Sequence, residues 1–515
     1  MTNSSSQKSI AKNTLFLYFR MMFIMIISLF TSRVILETLG INDYGIYQAV
    51  GGIVGFMNFL NNALSSGTSR FITFGLGKGN KEELRKTFST VFIVHLALAL
   101  IIVIMAETIG IWFLHNKMAI EPDRINAAII VYHLSILTAV ISITQIPYSA
   151  CITAHEKFSL YAYVSIVEVI LKLSIVYMLI ISSHDKLIVY AILLFIVTLL
   201  IQLYYRWYCN KHFEECKLSL SFDRNIFKPI AKYSSWNLLA NCTIALNNQG
   251  VLILINQFFS PTIVAARAIS VQVDGIARQF VQNFRTAANP QIIKQYAAGN
   301  TAESKLILLQ TTSMSYYLML IISLPICLTA DPLLHIWLKE VPEYTVIFLQ
   351  LIVIQNLFSV FDNCFLTGLI AKGELKQNAL LSPTINAIRF IIIYFMFKSG
   401  YSPVYLSIAG IITNAILGLI IKPMLLVKIA DYTWNEILPV FKMALVVTIV
   451  ACPIPILIYT LKNILILNTL EEIILIGGIS IISVGISILF IGFSEQTRKK
   501  VLEAIQQKIK KCICL

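Results

Sequence analysis

Charged residues are scarce in this chain of 515 residues, of which Asp, Glu, Lys and Arg make up only 13%. A soluble globular protein averages roughly 25%. Hydrophobic residues make up 57% of the chain, and the mean hydropathy is +0.78. A surface so poor in charge could not be kept in water, so the composition argues against a soluble domain and predicts that lipid is the solvent.

Paired metal-ligand and nucleotide-binding patterns are missing as well. The nine cysteines are scattered, without the spacing of a zinc site or a disulfide framework, and we interpret them as small apolar fillers. There is no Gly-Lys phosphate loop and no external loop large enough to hold a soluble active site. We therefore predict no metal, no cofactor and no catalytic residues. A gradient, the membrane potential or the substrate's own concentration difference would supply the energy.

A cleavable signal peptide is also not evident. The polar residues 1–13 lead into an apolar stretch that is too long, is interrupted by Arg20 and lacks a small-residue cleavage site. The first span is therefore expected to stay in the membrane.

Apolar segments long enough to cross a bilayer are abundant. The chain is predicted to be an all-α integral membrane protein of about 14 transmembrane helices. The predicted spans are 14–38, 46–74, 87–114, 125–152, 158–181, 187–209, 233–258, 262–288, 305–330, 344–370, 378–398, 403–427, 437–461 and 471–493. The predicted domains are an N-terminal lobe (1–209), a cytoplasmic linker (210–232), a C-terminal lobe (233–428), two further spans (429–493) and a basic cytoplasmic tail (494–515).

Lysine and arginine are distributed unequally between alternate connections. One set, with both termini, holds 26 of them, and the opposite set holds 6. Positive charge concentrates on the cytoplasmic side of membrane proteins, so both termini are predicted to be cytoplasmic. This bias largely explains the net charge of +14, and nucleic-acid binding is not needed to explain it.

An internal repeat is visible at an offset of 220 residues. The turn Gly79-Asn80 matches Gly299-Asn300, and Glu83 matches Glu303. Six spans per repeat return the chain to the same side, which predicts parallel repeats with a mid-membrane site between the two halves.

Four charged residues in span 8 fall on one helical line: Arg267, Asp274, Arg278 and Arg285. Their offsets place them within roughly 20° of each other, and charge inside a span is costly and usually functional. We interpret the line as lining a cavity. The alternatives are that the outer two arginines reach the headgroups and that Asp274 and Arg278 form a structural ion pair.

Other polar residues complete the predicted lining. The further cavity candidates are Arg20, Asn58, Asn62, Asn241 and Asn248, and the coupling-ion candidates are Asp274, Glu37 and Asp362. Asparagines in spans also serve simply to join helices, so this alternative stays open. Guanidinium binds phosphate oxygens bidentately. A lining of this kind predicts an anionic substrate such as a diphosphate joined to a sugar.

The block Arg33-Val34-Ile35-Leu36-Glu37-Thr38-Leu39-Gly40-Ile41-Asn42-Asp43-Tyr44-Gly45-Ile46-Tyr47 and the turn at 77–80 carry a family resemblance. Together with the span count, they make the chain similar to polysaccharide-biosynthesis flippases (the lipid-linked oligosaccharide or O-antigen type) of the multidrug/oligosaccharidyl-lipid/polysaccharide exporter superfamily. The resemblance implies a V-shaped, MATE-like pair of six-helix lobes plus two C-terminal helices.

It also implies an activity: translocation of an undecaprenyl-diphosphate-linked oligosaccharide across a bacterial cytoplasmic (inner) membrane by alternating access. The implied partners are the lipid-linked substrate, membrane lipids, and a polysaccharide polymerase with glycosyltransferases. A lipid II flippase or a multidrug/cation antiporter of the same superfamily remains an alternative, as does a membrane-embedded polymerase. The sugar, the coupling ion and the oligomeric state stay open.

Overall fold

The structure is a computed structural model, and it describes residues 25–78, 80–155, 157–217, 221–230, 245–374, 376–465, 468–493, 495, 498–499 and 503. Within these ranges the regular structure is helical and no strand occurs. The predicted all-α, multi-pass architecture is therefore confirmed, since most of the long helices are apolar enough to cross a membrane.

Most of the helices follow one another with short connections. In chain order they are α1 (Met25–Leu39), α2 (Ile41–Lys78), α3 (Lys81–Met105), α4 (Ile111–Lys117), α5 (Ile125–Ala154), α6 (Phe158–Ile181), α7 (Lys186–His212), α8 (Val251–Phe258), α9 (Pro261–Ala297), α10 (Thr301–Leu328), α11 (Ala330–Trp337), α12 (Thr345–Lys372), α13 (Lys376–Lys398), α14 (Tyr405–Ala415), α15 (Lys422–Ile429), α16 (Trp434–Ala451), α17 (Pro453–Leu465) and α18 (Thr469–Ser487). Short π-helical turns lie at Ala106–Gly110, Leu246–Gly250, Ile416–Ile421 and Ile488–Gly492.

Ten helical stretches in the described part of the chain are long and apolar enough to span a membrane, and an eleventh results if α1 and α2 count as one bent span. These two helices meet at 116°, at Gly40, whose φ of +81° is one that glycine adopts without strain. Helix α9 falls outside the count because its charges break the apolar window. The sequence prediction of about 14 spans is roughly consistent with this arrangement.

The helix starts follow the 220-residue offset found in the sequence. Five helices of the first half begin at Ile41, Lys81, Ile125, Phe158 and Lys186, and their counterparts begin at Pro261, Thr301, Thr345, Lys376 and Tyr405. These starts match the offset to within two residues. Agreement over five consecutive helices shows that the sequence repeat is also a repeat of secondary structure.

The matching turns start their helices differently. The Asn80 side chain caps α3 by accepting a hydrogen bond from the Glu83 amide at 3.2 Å. Its counterpart Asn300 makes no such cap for α10 and instead donates to the Gln295 side chain at 2.9 Å.

Two compact units divide the chain, unit 1 (Met1–Ala265) and unit 2 (Ala266–Leu515). Unit 1 buries apolar residues of α2, α3, α5 and α7 against one another. Unit 2 has its own core, formed by α10, α12, α15, α16 and α18. The predicted lobe boundaries remain a prediction. Unit 2 begins at Ala266, inside α9. Helix α8, which was predicted to be in the C-terminal lobe, packs on α2 and belongs to unit 1.

The predicted linker, 210–232, is attached to unit 1 where the structure describes it. Glu215 is buried and lies 2.6 Å from Nε2 of His155, at the end of α5. Glu214 pairs with Lys81 at 2.8 Å on the surface. These contacts hold the first part of the linker against the ends of α3 and α5.

At the other end of unit 1, Arg124 joins the starts of two helices. Its guanidinium bonds Asp43, in the first turn of α2, and lies 2.6 Å from Asp185, which caps α7. Burial by itself raises the pKa of Asp185. The hydrogen bonds from Arg124 and from the helix amides lower it by a larger amount, so the pKa lies below its usual range.

Candidate functional site

The four charges predicted to share a helical line lie on α9 of unit 2. Arg267, Asp274 and Arg285 are buried, whereas the Arg278 side chain is 52% exposed. The two outer arginines are therefore covered by other parts of the chain. Arg267 contacts α14, and Asp274 and Arg285 contact α12. Arg278 is the most exposed member of the line.

Asp274 is held on both oxygens. One accepts a hydrogen bond from the Asn356 amide of α12, and the other lies 2.6 Å from Nη2 of Arg278, one turn along α9. With only 2% of its side chain exposed, Asp274 is a fixed buried carboxylate beneath a half-exposed guanidinium. The predicted pairing of the two residues is present, and its effect is to fix the direction of Arg278.

Arg285 is held by α12 as well. Its Nη2 donates to the Asn363 carbonyl oxygen at 2.6 Å and its Nη1 to the Gln282 side chain at 3.1 Å. Its Nε has no hydrogen-bond partner among the described residues. A cavity of about 380 Å³ lies beside it. The cavity is lined by Gly275, Arg278, Gln279, Val281, Gln282, Arg285, Met319, Ser359, Val360 and Asn363.

This cavity combines two guanidiniums with amide and hydroxyl groups. Its volume lies within the roughly 300–1,000 Å³ of small-molecule sites. Guanidiniums donate in pairs to phosphate oxygens, and amides and hydroxyls suit sugar hydroxyls. Among the described residues that line the cavity there is no carboxylate, and Asp274 is already bonded on both oxygens. The arrangement can bind an oxyanion carrying a polar group.

Asp362, a coupling-ion candidate, is occupied by an ammonium group. Nζ of Lys422 lies 3.1 Å from its Oδ1, an ion-pair contact without hydrogen-bond geometry, and also donates to the Asn378 side chain. Lys422 is only 2% exposed. Lys422 follows the π-helical turn Ile416–Ile421, and its ammonium lies inside unit 2.

The remaining sequence candidates lie in unit 1. Arg20 and Asn241 are outside the described residues. Asn58 and Asn62 belong to α2 and Asn248 to the π-helical turn before α8, and their side chains are likewise outside the description. Glu37, the other coupling-ion candidate, is exposed near the end of α1.

The residues of α12 that contact the charged line of α9 were not predicted from the sequence. Asn356, Ser359 and Asn363 have offsets of 0, 3 and 7, which place them on one face of an apolar helix. That polar face could have been found with the rule that identified α9. No group of three His, Cys, Asp or Glu residues in the described ranges could hold a metal ion.

Comparison with known proteins supports the same fold. The protein-family model named MatE matches residues 17–178. No curated protein matches the chain.

Several solved structures resemble it. An inward-facing multidrug resistance MATE family transporter of the MOP superfamily superposes with a TM-score of 0.67 at 14% identity, covering 80% of this chain and 96% of the other. The lipid II flippase MurJ, in an inward closed conformation, also gives 0.67 at 14% identity, over 92% and 97%. A MOP superfamily transporter from Pyrococcus furiosus gives 0.51 at 13% identity, over 80% and 96%, and the reversed polarity of its binding pocket suggests a different function for that protein. At these identities the likeness establishes the fold.

Proposed function

We propose that this protein is a flippase of the MOP superfamily, a secondary transporter rather than an enzyme. Its substrate is an undecaprenyl-diphosphate-linked oligosaccharide, which it moves from the inner to the outer leaflet of a bacterial cytoplasmic membrane for surface polysaccharide synthesis. The MatE match over 17–178 and the MATE-like and MurJ-like fold support the transporter class. The polar cavity on α9 supports the substrate class.

The cavity carries the argument for an anionic headgroup. Arg278 and Arg285 are about 10 Å apart along the helix axis, on one face of the same 380 Å³ space. Arg278 would engage the diphosphate, because it is the half-exposed guanidinium, and the amides of Gln279, Gln282 and Asn363 would contact sugar hydroxyls. A cationic drug would meet two positive charges there, with no carboxylate among the lining residues that the structure describes.

Translocation requires that this site open alternately to the two leaflets while the lipid tail stays in the bilayer. Asp274 and Asn356 would keep the guanidinium directed during that change, since both are buried and bonded to each other. Arg278 is thus the binding group and Asp274 is its positioning residue.

The test is headgroup translocation in proteoliposomes with a fluorescent short-chain polyprenyl-diphosphate oligosaccharide. The unmodified protein is expected to flip it. The double variant Asp274→Asn, Arg278→Gln is expected to slow flipping about 10- to 150-fold, which corresponds to the loss of one charge-assisted contact of about 1.5–3 kcal/mol. Arg224→Gln removes an exposed guanidinium of unit 1 and serves as the matched control. Absence of flipping by the unmodified protein with several sugars and imposed ion gradients would overturn the proposal.

Lipid II is a second candidate substrate, favoured by the likeness to MurJ over 92% of this chain. It shares the polyprenyl diphosphate, so the arginines would serve it equally. In the same proteoliposomes, lipid II and a polyprenyl-diphosphate oligosaccharide of another composition can be made to compete for flipping. The lipid that is flipped in preference to the other is the better substrate.

A further inference from the structure

A second cavity of unit 2 lies among the ends of three helices. Its volume is about 330 Å³, and it is bordered by the first turns of α13, by α15 with the residue before it, and by the start of α16. Its described lining residues are all different from those of the cavity at Arg278. Leu381 on α13 and Met424 on α15 are exposed, and α13 is the least buried of the ten candidate spans in the described part of the chain. The cavity is therefore an open groove that the surrounding lipid can enter.

The polar groups of this groove all come from helix ends. Gln377 is the second residue of α13, Lys428 is the next-to-last residue of α15, and Trp434 is the first residue of α16. The other described lining residues are apolar: Leu381, Ile421, Met424, Leu425 and Val427. They extend inward from the helix ends, since Ile421 and Lys428 are seven residues apart, about 10 Å along a helix axis. The groove thus has a polar end with a positive charge and an apolar remainder.

Two carboxylates follow α15 in the chain, and both are engaged by other groups. Asp431 lies 3.2 Å from Nζ of Lys372. Glu436 accepts a hydrogen bond from the Thr433 amide at 2.7 Å, in the capping box that begins α16. Lys428 is exposed, and it makes no ion pair with the described residues. Its ammonium is therefore available to an anion at the polar end of the groove.

We propose that this groove binds an anionic phospholipid, with the phosphate at Lys428 and an acyl chain along α13 and α15. Lysine near a membrane surface attracts anionic headgroups, and tryptophan is enriched where headgroups meet acyl chains, which is the level that Trp434 would occupy. Leu381 and Met424 would cover the chain and be covered by it. The sequence predicts that these helix ends are cytoplasmic, and the cytoplasmic leaflet carries anionic lipid. This lipid is not the transported substrate, so the proposal goes beyond the proposed function.

The experiment uses Trp434 as its reporter, because bromine on an acyl chain quenches tryptophan fluorescence on contact. The full-length protein is reconstituted in phosphatidylcholine bilayers that contain a low, fixed fraction of brominated phosphatidylglycerol or, separately, of brominated phosphatidylcholine. The Trp434 signal is the difference between the unmodified protein and Trp434→Phe. We expect brominated phosphatidylglycerol to quench this signal more strongly than brominated phosphatidylcholine.

Variants of one lysine test the headgroup contact. Lys428→Gln should lower the apparent affinity for brominated phosphatidylglycerol about 5-fold, the effect of one cation near the membrane surface, and should leave quenching by brominated phosphatidylcholine unchanged. Lys428→Arg should keep the preference. Lys228→Gln removes an exposed lysine of the predicted cytoplasmic linker, far from the groove in sequence, and serves as the matched control.

The contrary outcomes are distinct. Equal quenching by the two brominated lipids, or a preference that survives Lys428→Gln, would overturn the site. An equal loss of preference in Lys228→Gln would also overturn it, because the net charge of the protein would then explain the effect. Relief of quenching by an unlabelled short-chain polyprenyl-diphosphate oligosaccharide would show that the substrate lipid occupies the groove, and a separate phospholipid site would be refuted. None of these outcomes changes the expected result of the flipping assay with Arg278 variants.

Discussion

Breaking the Asp274–Arg278 pair should separate the contribution of Arg278 to stability from its contribution to transport. Asp274 is 2% exposed and is bonded by Arg278 and by Asn356. Arg278→Gln alone would leave a buried carboxylate with a single amide donor. The variant Arg278→Ala, the obvious test of a transport role, would therefore confuse loss of function with loss of fold.

The size of the effect follows from burial. Removing one partner of a fully buried ion pair costs about 3–5 kcal/mol. The Arg278 side chain is 52% exposed, so water screens the pair, and we expect about 1–3 kcal/mol for Arg278→Gln. Asp274→Asn should cost less, since an amide still accepts from Arg278 and needs no counter-charge. The double variant should recover most of the stability that Arg278→Gln loses.

Transport is expected to behave differently. If Arg278 binds the substrate, Arg278→Gln and the double variant should both be slow, although the double variant is stable. Asp274→Asn should keep the guanidinium but direct it less firmly, which gives an intermediate rate. Arg278→Lys keeps a charge that can pair with Asp274 but loses the bidentate fork, so it should be stable and partly active.

Two assays on the same preparations test this: thermal unfolding of the purified protein, and headgroup flipping in proteoliposomes. Recovery of both stability and flipping in the double variant would refute the reasoning, because Arg278 would then be needed only to neutralise Asp274. Equal stability of all four variants would refute the burial argument instead.

Three further predictions concern stability. Lys422→Met should destabilise unit 2 by about 2–4 kcal/mol, because it leaves Asp362 beside an apolar group. Adding Asp362→Asn should restore most of the Tm. A Tm unaffected by Lys422→Met would contradict this prediction. Asn80→Ala should speed hydrogen exchange in the first turn of α3 about 5-fold, for a loss of about 1 kcal/mol of capping, whereas Asn300→Ala, which removes no cap, should change α10 less. The lowered pKa of Asp185 stabilises the fold above about pH 4, and this stabilisation is lost as the pH falls through that pKa. Asp185→Asn should therefore flatten the fall in Tm between about pH 5 and 3. Parallel Tm curves for the variant and the unmodified protein would count against the ion pair.

Much of the local structure could be predicted from the sequence. Helix α9 shows why: the angular position of Arg267, Asp274, Arg278 and Arg285 depends only on the helical period, which is the same in every packed state. The starts of α3 and α10 were visible as equivalent Gly-Asn turns, because turn residues act on their own backbone.

The surroundings of these residues required the tertiary structure. Asn356 and Asp274 are 82 residues apart in the chain, and Lys422 and Asp362 are 60 apart. Lys422 is buried just after a π-helical turn, and nothing in its neighbouring sequence identifies Asp362 as its partner.

The sequence by itself thus determined the all-helical, membrane-spanning class, the 220-residue repeat and the line of charge on α9, since each follows from local composition and the helical period. Only the tertiary structure decided that Arg278 pairs with the buried Asp274 and is exposed to the cavity. Those properties depend on the rotation and depth at which each helix packs against helices distant in the chain, and no residue's own neighbours in sequence specify them.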